Sequence, residues 1–217
     1  MKNFKVILSL AIFFIGVSCN EVRDNFDWGL VQEGVYINKF FGMEWEIPKD
    51  WHYDDNFAEQ WTKTNKPDFT SFAQRVYKIK ERMAIPHGEV KNSYLFMLNK
   101  KDIALGQKDN PTIFLFAENL NAVEGNVINT LEDYIDQTIK ESNANSTVTL
   151  DSDEYQKERV GGTTFYKLTG VRLDNKTKYK EHYYLTLMNG FGLTMLLRAE
   201  DNKGIAELEA AIEQISL

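Results

Sequence analysis

The sequence predicts an α+β fold, an antiparallel β-sheet whose two faces both call for a covering layer of helices. Three observations lead there. Between Glu154 and Ala199, four strand-like runs are joined by short turns at Gly161-Gly162, Asp174-Asn175-Lys176 and Asn189-Gly190. Asn-Gly and Gly-Gly between alternating apolar residues are the strongest short hairpin signals, because both turn residues must take φ > 0. Upstream, SYLFMLN (93–99) and TIFLFAE (112–118) are almost continuously apolar, as central strands covered on both faces are. Three further stretches repeat their apolar residues at helical spacing. The order lacks a βαβαβ alternation, which excludes a doubly wound nucleotide-binding fold.

Taken in order, the chain begins with MKNFKVILSLAIFFIGVSC. Lys2 and Lys5 form a positive n-region, and Val6 to Val17 form an apolar run of signal-peptide length. That run is shorter than the ~20 apolar residues a spanning helix needs. Cys19 is the only cysteine, so no disulfide is available. Gly16-Val17-Ser18-Cys19 resembles a bacterial lipoprotein signal, although it lacks the usual Leu three places before the cysteine. The resemblance implies cleavage after Ser18 and lipidation of Cys19. It places the protein at the bacterial cell envelope, anchored through lipid and facing the periplasm or the surface, with the outer membrane as its expected site. Removing residues 1–18 takes away two lysines and no acids, moving the net charge from −7 to −9. That balance opposes nucleic acid and polybasic membrane contacts.

Residues 19–33 have no stable period and read as a tether, either disordered or docked onto the body through Trp28 and Leu30, and 34–217 read as one domain. GVYINKFF (34–41) and MEWEI (43–47) read as strands hinged at Gly42, ended by Pro48. PDFTSFAQRVYKIKERM (67–83) carries Phe69, Phe72, Val76 and Met83 at helical spacing. Lys100-Lys101-Asp102 and Lys108-Asp109 read as loop charges. In TLEDYIDQTIKES, Thr130 is a suitable N-cap with Asp133 three residues on, and Leu131, Tyr134, Ile135, Thr138 and Ile139 form one stripe. A two-residue Asn189-Gly190 loop pairs Tyr183 with Leu196, Leu185 with Thr194 and Glu181 with Arg198, an opposite-charge pair. Ile205, Leu208, Ile212 and Ile215 give a closing helix over 203–216.

Several of these features, in this order, resemble the PsbP-like fold of photosystem accessory subunits, a Ran-binding nuclear-import factor and bacterial DcrB-type lipoproteins. They are Glu46-Ile47-Pro48 with Trp51, Thr130-Leu131-Glu132-Asp133-Tyr134-Ile135, Val160-Gly161-Gly162-Thr163-Thr164-Phe165-Tyr166-Lys167-Leu168, Tyr179 to Leu187, and Asn189-Gly190-Phe191-Gly192-Leu193. The resemblance implies an α-β-α sandwich and a protein-binding role, and it carries over no catalytic residue.

Motifs that would announce chemistry are missing: no G-x-S-x-G, H-E-x-x-H or Walker loop, and no second cysteine. His52 with Asp54 and Asp55 falls short of a zinc pattern. Asp151-Ser152-Asp153-Glu154 lacks the Gly and distal Glu of a calcium loop. His182 is expected beside the core, hydrogen-bonded. The expectation is therefore a non-catalytic accessory protein without cofactor or metal, binding another envelope protein. The alternative is a carrier or sensor for a small apolar ligand between sheet and helices, using Trp45, Trp51 and Tyr184.

Overall fold

The computed structural model describes residues 26–53, 87–90, 92–102, 110–122, 128–144, 147–151, 155–174 and 176–217. The signal segment 1–18, Cys19 and the helix expected over 67–83 lie outside these residues. In chain order the strands are β1 (Leu30–Gln32), β2 (Val35–Asn38), β3 (Met43–Glu46), β4 (His52–Tyr53), β5 (Asn92–Asn99) and β6 (Thr112–Asn119). Helix α1 (Leu131–Ala144) follows, then β7 (Val148–Leu150), β8 (Gln156–Val160), β9 (Thr163–Asp174), β10 (Thr177–Met188) and β11 (Phe191–Ala199). Helix α2 (Asn202–Ile212) and β12 (Ile215–Ser216) come last.

The strands form an eight-stranded sheet in the order β4-β5-β6-β11-β10-β9-β7, with β8 also on β9, and a four-stranded sheet in the order β1-β2-β3-β12. Every pairing in both is antiparallel. The expected hairpin register holds throughout β10–β11, with Tyr183 opposite Leu196 and Glu181 opposite Arg198. Asn189 and Gly190 both take positive φ, 53° and 80°, as the two-residue turn requires.

Side-chain alternation divides the core in two. On one face of the large sheet, Tyr134 and Ile135 of α1 pack with Leu168, Leu185 and Leu196. On the other, Ile205 and Leu208 of α2 and Trp45 of the small sheet pack with Leu115, Met195 and Leu197. The fold is thus an antiparallel sheet with helices on both faces, as the apolar pairing on both sides of the meander demands. Trp45, fully buried, donates its indole N–H to the Ala211 carbonyl at 2.9 Å, which ties the small sheet to the end of α2.

Two boundaries differ from expectation. Residues 26–33 belong to the body rather than to a free tether, docked through Phe26 and Trp28, while Leu30 stays exposed. Phe26 and Trp28 are 5% and 6% exposed, and the Phe26 ring lies 4.9 Å from Phe40 and 5.0 Å from Phe191. The Tyr36 hydroxyl donates to the Trp28 carbonyl at 2.8 Å. Burial here comes from single aromatic anchors, so it leaves no periodic trace. The closing helix ends at Ile212, and Ile215 instead forms a strand opposite Trp45. Ile215 is buried, so its apolar character was a sound signal for the core and a misleading one for the helix.

Candidate functional site

A cleft of about 490 Å³ opens where the end of α2 meets the segment leaving β3 and the end of β5. Ile47, Pro48, Trp51, Ala210 and Ala211 supply its apolar wall, and Glu46, Lys49, Lys100, Glu207 and Gln214 its polar one. Pro48 stops β3, and the chain turns tightly, with Trp51 N–H donating to the Pro48 carbonyl at 2.9 Å. That turn lays the half-buried Trp51 against the core. Lys100 forms an ion pair with Glu207 across the cleft lining; both side chains are about one-third exposed, so the pair adds little stability. It does fix two opposite charges beside an apolar wall.

Of the three aromatic residues expected to serve a ligand, only Trp51 reaches the cleft. Trp45 is a core anchor. Tyr184 is buried, and its hydroxyl donates to Glu209 Oε1 at 3.1 Å. Lys100, a loop charge by sequence, comes to α2 in the structure. No sequence signal could have found that meeting, because Lys100 and Glu207 are 107 positions apart.

Behind α2 lies a network centred on Glu209. Its Oε1 lies 2.8 Å from Lys167 Nζ and 2.8 Å from His182 Nδ1, and it accepts the Tyr184 hydroxyl. Lys167 also reaches Glu158 Oε1 at 3.1 Å. Burial raises the pKa of Glu209, but the hydrogen bonds and charges of Lys167 and His182 outweigh it and hold the carboxyl below its ordinary value. Burial, then the negative charges of Glu209 and Glu158, push the Tyr184 hydroxyl far up. A carboxylate oxygen already shared among three donors, beside a tyrosine that holds its proton, is a staple between α2 and the sheet. His182 is therefore hydrogen-bonded at the edge of the core, as expected.

The opposite face of the sheet carries a second polar cluster, Arg172, Glu181, Tyr183 and Arg198, with Glu181 fully buried. His52 is exposed on β4, while Asp54 and Asp55 lie outside the described residues. Asp151 accepts the Thr169 hydroxyl at 3.1 Å. Among the described residues, no group of three metal-ligating side chains comes together.

No protein-family model matches the chain, and no curated protein matches it. Among solved structures, it is similar to cyanobacterial PsbP (CyanoP) from Synechocystis sp. PCC 6803, with a TM-score of 0.48 and 11% identity over 84% of this chain and 91% of that one. It is similar to a Pseudomonas aeruginosa protein of unknown function, with a TM-score of 0.45 and 10% identity over 61% and 85% of the two chains. A third is LpqN, involved in cell envelope biogenesis of Mycobacterium tuberculosis, with a TM-score of 0.38 and 12% identity over 80% and 82%. At these scores and identities the likenesses carry no conclusion about activity or partner.

Proposed function

We propose that the chain is a non-catalytic accessory protein of the bacterial cell envelope, anchored through lipid on Cys19, whose body binds another envelope protein. The observation that carries the binding is the cleft beside Trp51. An apolar wall with an aromatic residue, flanked by charges of both signs, suits a partner's apolar side chain surrounded by polar contacts. The Glu209 network fits a structural role, since its Lys167, His182 and Tyr184 contacts join α2 to the sheet. The anchor rests on the sequence of the first nineteen residues.

Two measurements test this reading. Chemical cross-linking in native membranes with the wild-type chain is expected to yield one envelope protein, at reduced level with Trp51→Ala and Lys100→Glu. Equal recovery with all three chains would remove the cleft from the interface. A Cys19→Ala chain is expected in the soluble fraction after a high-salt wash; if it stays with the membrane, the lipid anchor is wrong.

The apolar wall also favours a second reading, a carrier or sensor for a small apolar ligand. Titration with a fatty acid would then change tryptophan emission saturably, and Trp51→Phe would abolish the change. No saturable change in the wild-type chain would leave the protein partner as the occupant.

A further inference from the structure

Three neighbouring strands of the large sheet bring two guanidiniums onto one carboxylate, on the face that carries α1. Glu181 of β10 is 0% exposed. Its Oε1 accepts Nε–H of Arg172 from β9 and Nε–H of Arg198 from β11, each at 2.7 Å, and its Oε2 accepts the Tyr183 hydroxyl. Since both Nε atoms bond one oxygen, they can be no further apart than twice that distance. Each arginine engages Glu181 through Nε alone, which leaves the outer edge of each planar fork, the Nη side, for other acceptors. Among the described residues, no Nη group of Arg198 makes a protein hydrogen bond, whereas the Arg172 side chain also hydrogen-bonds the Tyr183 hydroxyl and keeps only its remaining Nη donors for another acceptor.

The charges do not balance among the described residues. Among them, two guanidiniums face one carboxylate, with Val148 opposite Arg172, Thr112 opposite Arg198, and two aromatic rings beside them. Arg198 lies 5.1 Å from the Phe114 ring centroid and 6.0 Å from that of Tyr179. Both arginines also lie close enough to act on Tyr94, whose hydroxyl pKa is raised by burial while the charges of Arg198 and Arg172 oppose that rise. The arginine side chains are 24% and 25% exposed, so they are reachable from solvent but only partly hydrated. A half-desolvated pair of forks with, among the described residues, one positive charge left over is chemically matched to a carboxylate or a phosphate, which accept such donors in pairs.

We propose that the Nη edges of Arg172 and Arg198 bind one oxyanion, a carboxylate or phosphate group of a small molecule. Glu181 is the positioning residue that holds the two forks side by side. This site lies on the face opposite α2 and does not depend on what occupies the cleft.

The alternative is that Arg172-Glu181-Arg198 only staples three strands. The full chain in detergent, melted in sodium phosphate, sodium acetate or sodium chloride at matched ionic strength, separates the two. A site gives a saturable rise in Tm with phosphate, acetate or both, beyond that in chloride; which salt acts identifies the group. Arg198→Gln is expected to weaken that response about tenfold or more, the equivalent of one charge-assisted hydrogen bond. Glu181→Gln, which removes the internal negative charge, is expected to strengthen it, whereas a mere staple predicts no anion response in any variant. Should either variant fail to fold, the arginine side-chain NMR signals of the wild-type chain decide. Shifts at Arg172 and Arg198 on phosphate or acetate titration sustain the site. The absence of a saturable response beyond chloride, or a response localised elsewhere, overturns it.

Discussion

At the scale of single residues, the fold depends on places where one side chain yields to another. Gly192 on β11 lies under Tyr134, so that an added Cβ would sit 2.3 Å from Tyr134 Cζ. Gly192→Ala is therefore expected to cost about 1–3 kcal/mol in urea unfolding through overpacking. In a Tyr134→Leu background most of that cost should vanish, the non-additivity that marks two residues in contact. The start of α1 gives a second case. Thr130 Oγ1 accepts the Asp133 N–H at 3.1 Å while Asp133 Oδ2 accepts the Thr130 N–H at 3.0 Å. The reciprocal cap was legible from Thr130 and Asp133 alone, and Thr130→Ala is expected to cost about 1 kcal/mol by the same measurement. The Glu181–Arg198 pair was equally legible, because one turn fixes both residues. Arg172 was not. Its place beside Glu181 depends on the β9–β10 turn, where Asp174 pairs with Thr177 across a two-residue loop, and the Asp-Asn-Lys corner does not state that register.

At the scale of elements, hairpins explain most of what could be read from sequence and long-range strands most of what could not. Gly161 and Gly162 take φ of 57° and 87° between β8 and β9, a conformation available to glycine at little cost. Gly161 has a second duty that no local pattern reveals. Its carbonyl accepts the Leu217 N–H at 3.1 Å, and a Cβ there would meet Leu217 N at 2.8 Å and Ile215 O at 2.9 Å. Gly161→Ala should thus destabilise the chain more than Gly162→Ala, where the nearest such contact is 3.9 Å. Comparative urea midpoints of the two variants check this. Strands β1, β4, β7 and β12 have only two or three residues each, too few for a period of two to show. They exist because a longer neighbour offers them a ladder. The cleft inherits the same limit, being assembled from residues about 46–51, 100 and 207–214.

At the scale of the whole molecule, buried tyrosines set an alkaline limit. Tyr36, Tyr134, Tyr183 and Tyr184 each have pKa values raised above the ordinary tyrosine value of 10.0, with burial as the largest cause. Above pH 10 the unfolded chain releases these protons while the folded chain keeps them, so folding stability falls as pH rises. The slope is at most about 1.4 kcal/mol per pH unit for each tyrosine. Urea midpoints between pH 9 and 11.5 are expected to fall steeply, and less steeply for Tyr36→Phe. A midpoint flat across that range would contradict the burial of these hydroxyls. The fold class was legible because apolar residues on both faces of one meander leave few layer arrangements open. The small sheet was not, since β3 completes its pairing with Ile215 opposite Trp45. That pairing has a temporal consequence. A chain emerging in order from the ribosome or a translocation pore exposes Trp45 some 170 positions before its partner arrives, so this half of the core closes late. Until then the protein remains a substrate for chaperones and proteases, with the largest of its fully buried side chains exposed to them.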